Sequence, residues 1–189
     1  LHASARNPSP TEAGGKRLYK GQWTAPKAGD VVTAPTGTNR AWEPAFAGPD
    51  GTFTHSAAQA STNRARGGAG YLYVPVKSEA AEIELLEAAG QDVLYVNGEP
   101  RVGDPYGDGI LQLPVQLQPG VNDFLFQFSR GRVRAKLVTP RAPVLLNMRD
   151  NTLPDVIRGD EAETWGAVVV GAPTPPAAAR CRRSCAASP

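Results

Sequence analysis

The stretch that most limits what this chain can become is residues 110–118, ILQLPVQLQ. Leu111, Leu113, Val115 and Leu117 fall on one side of an extended backbone. Gln112, Gln116 and Gln118 fall on the other, with Pro114 among them. A period of two is the signature of a half-buried strand, because successive side chains of a strand point to opposite faces. A helix of this sequence would scatter the leucines around its circumference.

The flanking residues repeat the message. Val93-Leu94-Tyr95-Val96 is β-branched and aromatic, and Asn97-Gly98 follows at once. Asn-Gly suits a type I′ hairpin turn, which needs positive φ at both central residues. A two-residue loop pairs Val96 with Glu99 and Val93 with Val102. Pro100 has no N–H for a ladder, so its strand is expected at an edge. Pro119-Gly120 ends the alternating strand, and Asn122-Asp123 is expected in the turn. Phe124, Phe126 and Phe128 then share a face. After Ser129-Arg130-Gly131 the parity changes, and Val133, Ala135 and Leu137 become the inward set. Another hairpin turn or a bulge is expected there. Arg132, Arg134 and Lys136 point outward, which reads first as a solvated strand face. Reading them as an anion or polysaccharide patch would require aromatic partners that the sequence does not place.

Upstream, residues 71–76 form a strand. Residues 79–89, EAAEIELLEAA, are good helix formers, yet they are short and lie between strands. A strand with Ile83 and Leu85 inward is the favoured reading. Pro49-Asp50-Gly51 is a turn: Pro presets φ, Asp bonds its own backbone and Gly takes positive φ. Trp42, Phe46 and Phe53 around it are candidate core anchors. Residues 56–70, with Arg64 and Arg66, read as a surface loop. Gly67-Gly68-Ala69-Gly70 lacks the following helix that a phosphate-cradling loop needs.

The expected organisation is a flexible segment over 1–19, a β domain over 20–146, a linker and the start of a truncated second domain over 147–170, and a disordered Pro/Ala/Arg tail over 171–189. Residues 165–170 read as one more buried strand. The abrupt change in composition after it suggests truncation or a shifted frame near residue 171. The chain opens on Leu1 and its one methionine is Met148, which suggests a fragment or a processed product.

Lys and Arg total 20 against 18 Asp and Glu, far from the basic excess of a nucleic-acid binder. No apolar run approaches the roughly 18 residues of a membrane span. Gly 20 and Pro 18 suit a turn-rich β domain. Cys181 and Cys185 stand alone in the tail, with His2 and His55 distant in sequence. Two thiols in a disordered tail are favoured over a zinc site or a local disulfide.

The strands 71–76, 83–89, 93–98, 111–117 and 124–128 form a pattern with two distinctive turns. One is Val96-Asn97-Gly98 closing a strand. The other is Leu117-Gln118-Pro119-Gly120-Val121-Asn122 before the aromatic strand. Together they resemble the galactose-binding-like β-sandwich that accompanies glycoside hydrolases and other secreted hydrolases. The resemblance implies an all-β, antiparallel jelly-roll-type sandwich with irregular tails. It also implies a secreted or periplasmic setting and a non-catalytic role. That role is carbohydrate contact through loops at one end, or packing against a neighbouring catalytic domain. Some members carry a structural calcium ion, but no calcium-ligand pattern is matched here, and no other cofactor is expected.

The loop 103–109, GDPYGDG, is longer and more acidic than a hairpin needs. Asp104 and Asp108 could offer oxygens to a hard cation, although Asp and Gly are also ordinary turn residues. Tyr106 could stack on a sugar face. With Arg101 and Trp42 these make up the candidate ligand-binding residues. Glu99, Asp104 and Asp108 could in principle serve glycoside hydrolysis, but surface turns have no evident means of raising an acid pKa. His55 is the single histidine of the domain, and no Gly-x-Ser-x-Gly elbow, His-Glu-x-x-His or P-loop occurs. The expected function is a non-catalytic accessory module, carbohydrate-binding or spacer, of a larger extracytoplasmic hydrolase. A self-standing lectin-like protein is the alternative.

Overall fold

The alternating patterns build antiparallel sheets throughout. The computed structural model describes residues 2–5, 22–33, 39–55, 68–153 and 165–172, and no helix occurs among them. The strands are β1 (His2–Ala5), β2 (Val31–Thr33), β3 (Asn39–Ala41), β4 (Thr52–Thr54), β5 (Ala69–Ser78), β6 (Glu82–Ala89) and β7 (Val93–Val96). They continue with β8 (Glu99–Arg101), β9 (Leu111–Leu117), β10 (Gly120–Phe128), β11 (Arg132–Val138), β12 (Leu145–Thr152) and β13 (Ala167–Gly171). A five-stranded sheet has the order β1-β5-β10-β7-β8, and a four-stranded sheet the order β4-β11-β6-β9. Two small ribbons, β2-β3 and β12-β13, complete the described strands.

The two larger sheets meet face to face in one apolar core. Leu72, Leu94, Val96, Phe124, Phe126 and Phe128 enter it from the five-stranded sheet. Phe53, Leu86, Ala88, Val115, Leu117 and Val133 enter it from the other. Each valine, leucine and phenylalanine among them contributes about 1.5–3 kcal/mol by leaving water. From β5 to β11 the chain passes from one of these sheets to the other at each connection, except at the β7–β8 hairpin.

That alternation corrects the reading of the 129–131 turn. β10 and β11 lie in different sheets, so Ser129-Arg130-Gly131 is a crossover rather than a hairpin. The parity switch has a simple cause: both strands must aim their apolar sets at the same core from opposite sides. Gly131 takes φ 70°, and its carbonyl accepts the His55 N–H at 2.7 Å.

The Asn-Gly hairpin is as expected. Asn97 has φ 49° and Gly98 φ 87°, and Val96 pairs with Glu99. β8 is an edge strand, as Pro100 requires, and it ends at Arg101 before Val102 can pair. The Pro49-Asp50-Gly51 turn also forms, with the Asp50 carboxylate accepting the Thr52 N–H at 3.0 Å and its hydroxyl at 2.7 Å. The strand reading of residues 79–89 holds from Glu82 to Ala89, but the inward set is Leu86 and Ala88, not Ile83 and Leu85. Leu85 lies in the opposite row, paired with Pro114 and Val138.

Four further expectations change. Asn122 and Asp123 lie inside β10, which begins at Gly120. Residues 147–152, read as an irregular linker, belong to β12. The strand near 165–170 exists as β13, but it is exposed, because its one partner is β12. His2–Ala5, read as part of a flexible segment, pairs with β5. The expectations for 171–189 fall on described residues only at 171 and 172. Cys181, Cys185, Arg64 and Arg66 lie outside the described residues.

Candidate functional site

The outer face of the five-stranded sheet carries a second apolar cluster. Tyr73, Leu125 and Tyr95 form a row across β5, β10 and β7. Trp42 covers it with Tyr71, Tyr73 and Leu125, and is 6% exposed. Its indole is therefore a core anchor without a free face for a ligand. Trp23 adds a lock from the N-terminal side. Its Nε1–H donates to Asp123 Oδ2 at 3.2 Å, and the Tyr73 hydroxyl donates to Asp123 Oδ1 at 2.5 Å. Burial, and then the Asp123 carboxylate, push the Tyr73 phenol well above its ordinary value.

The two turns that stand out in the sequence touch each other. Asn122 Oδ1 accepts the Gln118 N–H at 2.8 Å and Asn97 Nδ2–H at 2.8 Å. Asn122 Nδ2 returns a bond to the Gln118 carbonyl at 2.8 Å. Asn97 Oδ1 takes the Asp123 N–H at 2.9 Å. The buried Asn122 thus closes the Pro119-Gly120 turn and clamps it to the Asn97-Gly98 turn. Buried amides need such partners, which explains the asparagine at each place. These residues hold structure rather than present a site.

At the opposite end lie three connections: 90–92, 103–109 and 129–131. The middle one carries the chain from β8 in one sheet to β9 in the other, which is why it exceeds hairpin length. Asp104 organises it from inside. It is 5% exposed. Its Oδ1 accepts the N–H groups of Gly107 at 3.0 Å and Asp108 at 3.1 Å, and its Oδ2 accepts that of Gly109 at 2.7 Å. Its backbone bonds to Gly90 and Gln91, each at 2.8 Å. A carboxylate so engaged is a turn device, not a surface ligand. Gly103 fits against the Asp92 carbonyl, where an added Cβ would lie 1.9 Å from the oxygen.

The loop so held presents Tyr106, 73% exposed, with the Arg130 guanidinium 4.8 Å from its ring centre. Asp108 is exposed beside it. Arg101 pairs with Glu99 at 2.7 Å on edge strand β8. Arg134 reaches this loop from β11: its Nη2 lies 2.7 Å from where a Cβ on Gly109 would sit. Asp104, Tyr106 and Asp108 therefore share one loop. Trp42 belongs to the cluster on the outer face of the five-stranded sheet, and Arg101 is already paired within its strand.

Two polar groups nearby, one buried and one half-buried, escape any sequence signal. Gln91 is wholly buried, and its side-chain Oε1 and Nε2 have no hydrogen-bond partner. Asp92 accepts the Ser129 hydroxyl at 2.9 Å, yet burial raises its pKa above the ordinary value, against the pull of Ser129 and Arg130. His55 is buried against Phe128, with ring centres 6.4 Å apart; burial lowers its pKa, opposed by Glu43. Its place in the core suits packing rather than proton transfer.

An apolar hollow lies elsewhere. A cleft of about 420 Å³ opens between the sheets beside β5 and β11, lined by Leu72, Leu86, Phe124, Phe126, Val133 and Ala135 among others. Phe46, expected as a core anchor, borders it and is 84% exposed. None of Trp42, Arg101, Asp104, Tyr106 and Asp108 lines it. Among the described residues no group of three or more His, Cys, Asp or Glu could hold a metal ion, and no helix is long and apolar enough to cross a membrane. Comparisons with protein-family models, curated proteins and solved structures found nothing that matches this chain.

Proposed function

We propose that this chain is a non-catalytic accessory module of jelly-roll type that packs against a neighbouring catalytic domain of an extracytoplasmic hydrolase. The observation that carries the reading is the β12–β13 ribbon. Leu146 and Val170 pair across it, and both are exposed, as are Met148, Val168 and the preceding Trp165. On the other row Asn147 is held, its Nδ2–H donating to the Ile110 carbonyl at 2.6 Å, while its partner Val169 is exposed. A ribbon with one face anchored normally turns polar residues to water. Exposed apolar side chains gathered on such a ribbon instead mark a surface that another polypeptide covers. The passage of successive strands between two sheets supports the jelly-roll topology.

Hydrogen exchange tests this reading. The amides of 145–152 and 167–171 are compared in the chain alone and in the polypeptide encoded with its genomic flanks. Stronger protection in the longer polypeptide, abolished by Val170→Glu, is expected. Equal exchange in the two, or turnover of generic ester or glycoside substrates by the chain alone, would refute it. The lectin-like alternative draws its support from the exposed Tyr106 beside Arg130.

A further inference from the structure

The outward face of β11 acquires, in three dimensions, the aromatic partner that its sequence lacks. Arg132 and Arg134 are exposed on that face, roughly 7 Å apart by the rise of a strand. Arg130 sits at the crossover just before them, against one face of the Tyr106 ring. Arg134 lies along Gly109 of the same loop. The loop is held by the three Asp104 hydrogen bonds, so Tyr106 is displayed on a fixed support. Among the described residues none of these three guanidinium groups is within ion-pair distance of a carboxylate. Asp92 is within electrostatic reach of Arg130 and Asp50 of Arg134, but each carboxylate is already bonded, to Ser129 and Thr52 respectively.

We propose that Tyr106, Arg130, Arg132 and Arg134 form a binding surface for an acidic polysaccharide. A planar guanidinium forks onto a carboxylate with two parallel hydrogen bonds. An exposed aromatic ring suits the apolar face of a sugar. Guanidinium groups gathered beside an exposed tyrosine therefore match a chain of uronate units. A nucleic acid fits less well, because the whole chain carries a formal charge of only +2 and lacks the broad basic field that phosphate binding uses.

Affinity electrophoresis through polygalacturonate, with neutral dextran and double-stranded DNA as controls, tests the proposal. Polygalacturonate should retard the protein, dextran should not, and added salt should weaken the interaction. Arg130→Gln with Arg134→Gln should lower affinity at least about tenfold, since two charged contacts are lost. Tyr106→Ala should lower it roughly threefold to tenfold while Tyr106→Phe retains it, the change expected of a stacking ring. Arg149→Gln, an exposed charge on β12, should leave it unchanged. The substituted side chains are on the surface, and a thermal melt of each variant confirms the fold. No retardation by polygalacturonate, equal retardation by DNA, or an equal loss in Arg149→Gln would overturn the proposal. Such a failure leaves the docking role of β12–β13 untouched, because no residue is shared.

Discussion

Asp104→Ala removes the one carboxylate on which the 103–109 loop is built. Asp108 and Gly109 lose the acceptor of their backbone N–H groups, and Gly107 loses one of two, keeping the Asp104 backbone carbonyl at 3.1 Å. Hydrogen bonds to a charged group contribute about 1.5–3 kcal/mol each, so an additive sum would exceed 4 kcal/mol. Additivity fails here. Gly107 and Asp108 are exposed, and water can replace the lost acceptor at both. Gly109 is half-buried and makes the shortest bond, 2.7 Å, so its loss is felt most. The expected destabilisation is roughly 2–4 kcal/mol, read from urea unfolding at constant m-value. For a chain of this size that corresponds to a Tm lower by roughly 5–15 °C. Asp104→Asn keeps one acceptor oxygen but turns an N–H₂ toward a donor, so it should recover less than half of the loss. Amide exchange at 107, 108 and 109 should accelerate before any change in the core strands. A destabilisation below about 0.5 kcal/mol, with unchanged exchange at those three amides, would show that the carboxylate is not what shapes the loop.

Three other outcomes follow from the same end of the molecule. Gln91→Met replaces an unpartnered buried amide by an apolar chain of similar shape and should stabilise the fold by about 1–2 kcal/mol in urea unfolding; a loss of stability would mean that the amide is satisfied after all. Asp92→Asn tests linkage. The folded pKa of Asp92 lies above its ordinary 3.8, so its contribution to stability is fully present below that value and is lost as pH rises through the folded pKa. The variant should accordingly raise Tm at neutral pH, and the gain should disappear on acidification below 3.8; a gain independent of pH would contradict the burial argument. Gly103→Ala places a Cβ 1.9 Å from the Asp92 carbonyl, and should destabilise by roughly 2–4 kcal/mol or prevent folding, checked by circular dichroism and expression in soluble form.

Much of the fold can be read from local pattern. The period of two in β9, the triple phenylalanine of β10 and the Asn97-Gly98 hairpin each declare a strand and its inward face, because pleat geometry and turn dihedrals are properties of a few consecutive residues. Pro100 announced an edge for a similarly local reason. What pattern alone cannot supply is the partner. The 129–131 segment has the look of a hairpin turn, yet β10 and β11 belong to opposite sheets, and only the shared core tells a crossover from a hairpin. Leu85 and Leu86 are equally apolar, so the inward one is chosen by register with β9 and β11. Trp42 and Phe46, four residues apart beside the same turn, end as one buried and one exposed ring. Asp104 and Asp108 have the same chemistry, but one is consumed inside its loop while the other faces water.

The site follows the same division. The basic row of β11 was visible as alternate charges along a strand, and Tyr106 as an aromatic among glycines. Their adjacency was not, because the loop from β8 to β9 and the crossover into β11 are brought together by two sheets closing over a common interior. Strand identity, turn type and facing are set over a few residues by backbone sterics and by the exclusion of apolar side chains from water. Which strands become neighbours, and which loops therefore share a surface, depends on burying those faces against one another across residues distant in sequence, and that is settled only when the whole core packs.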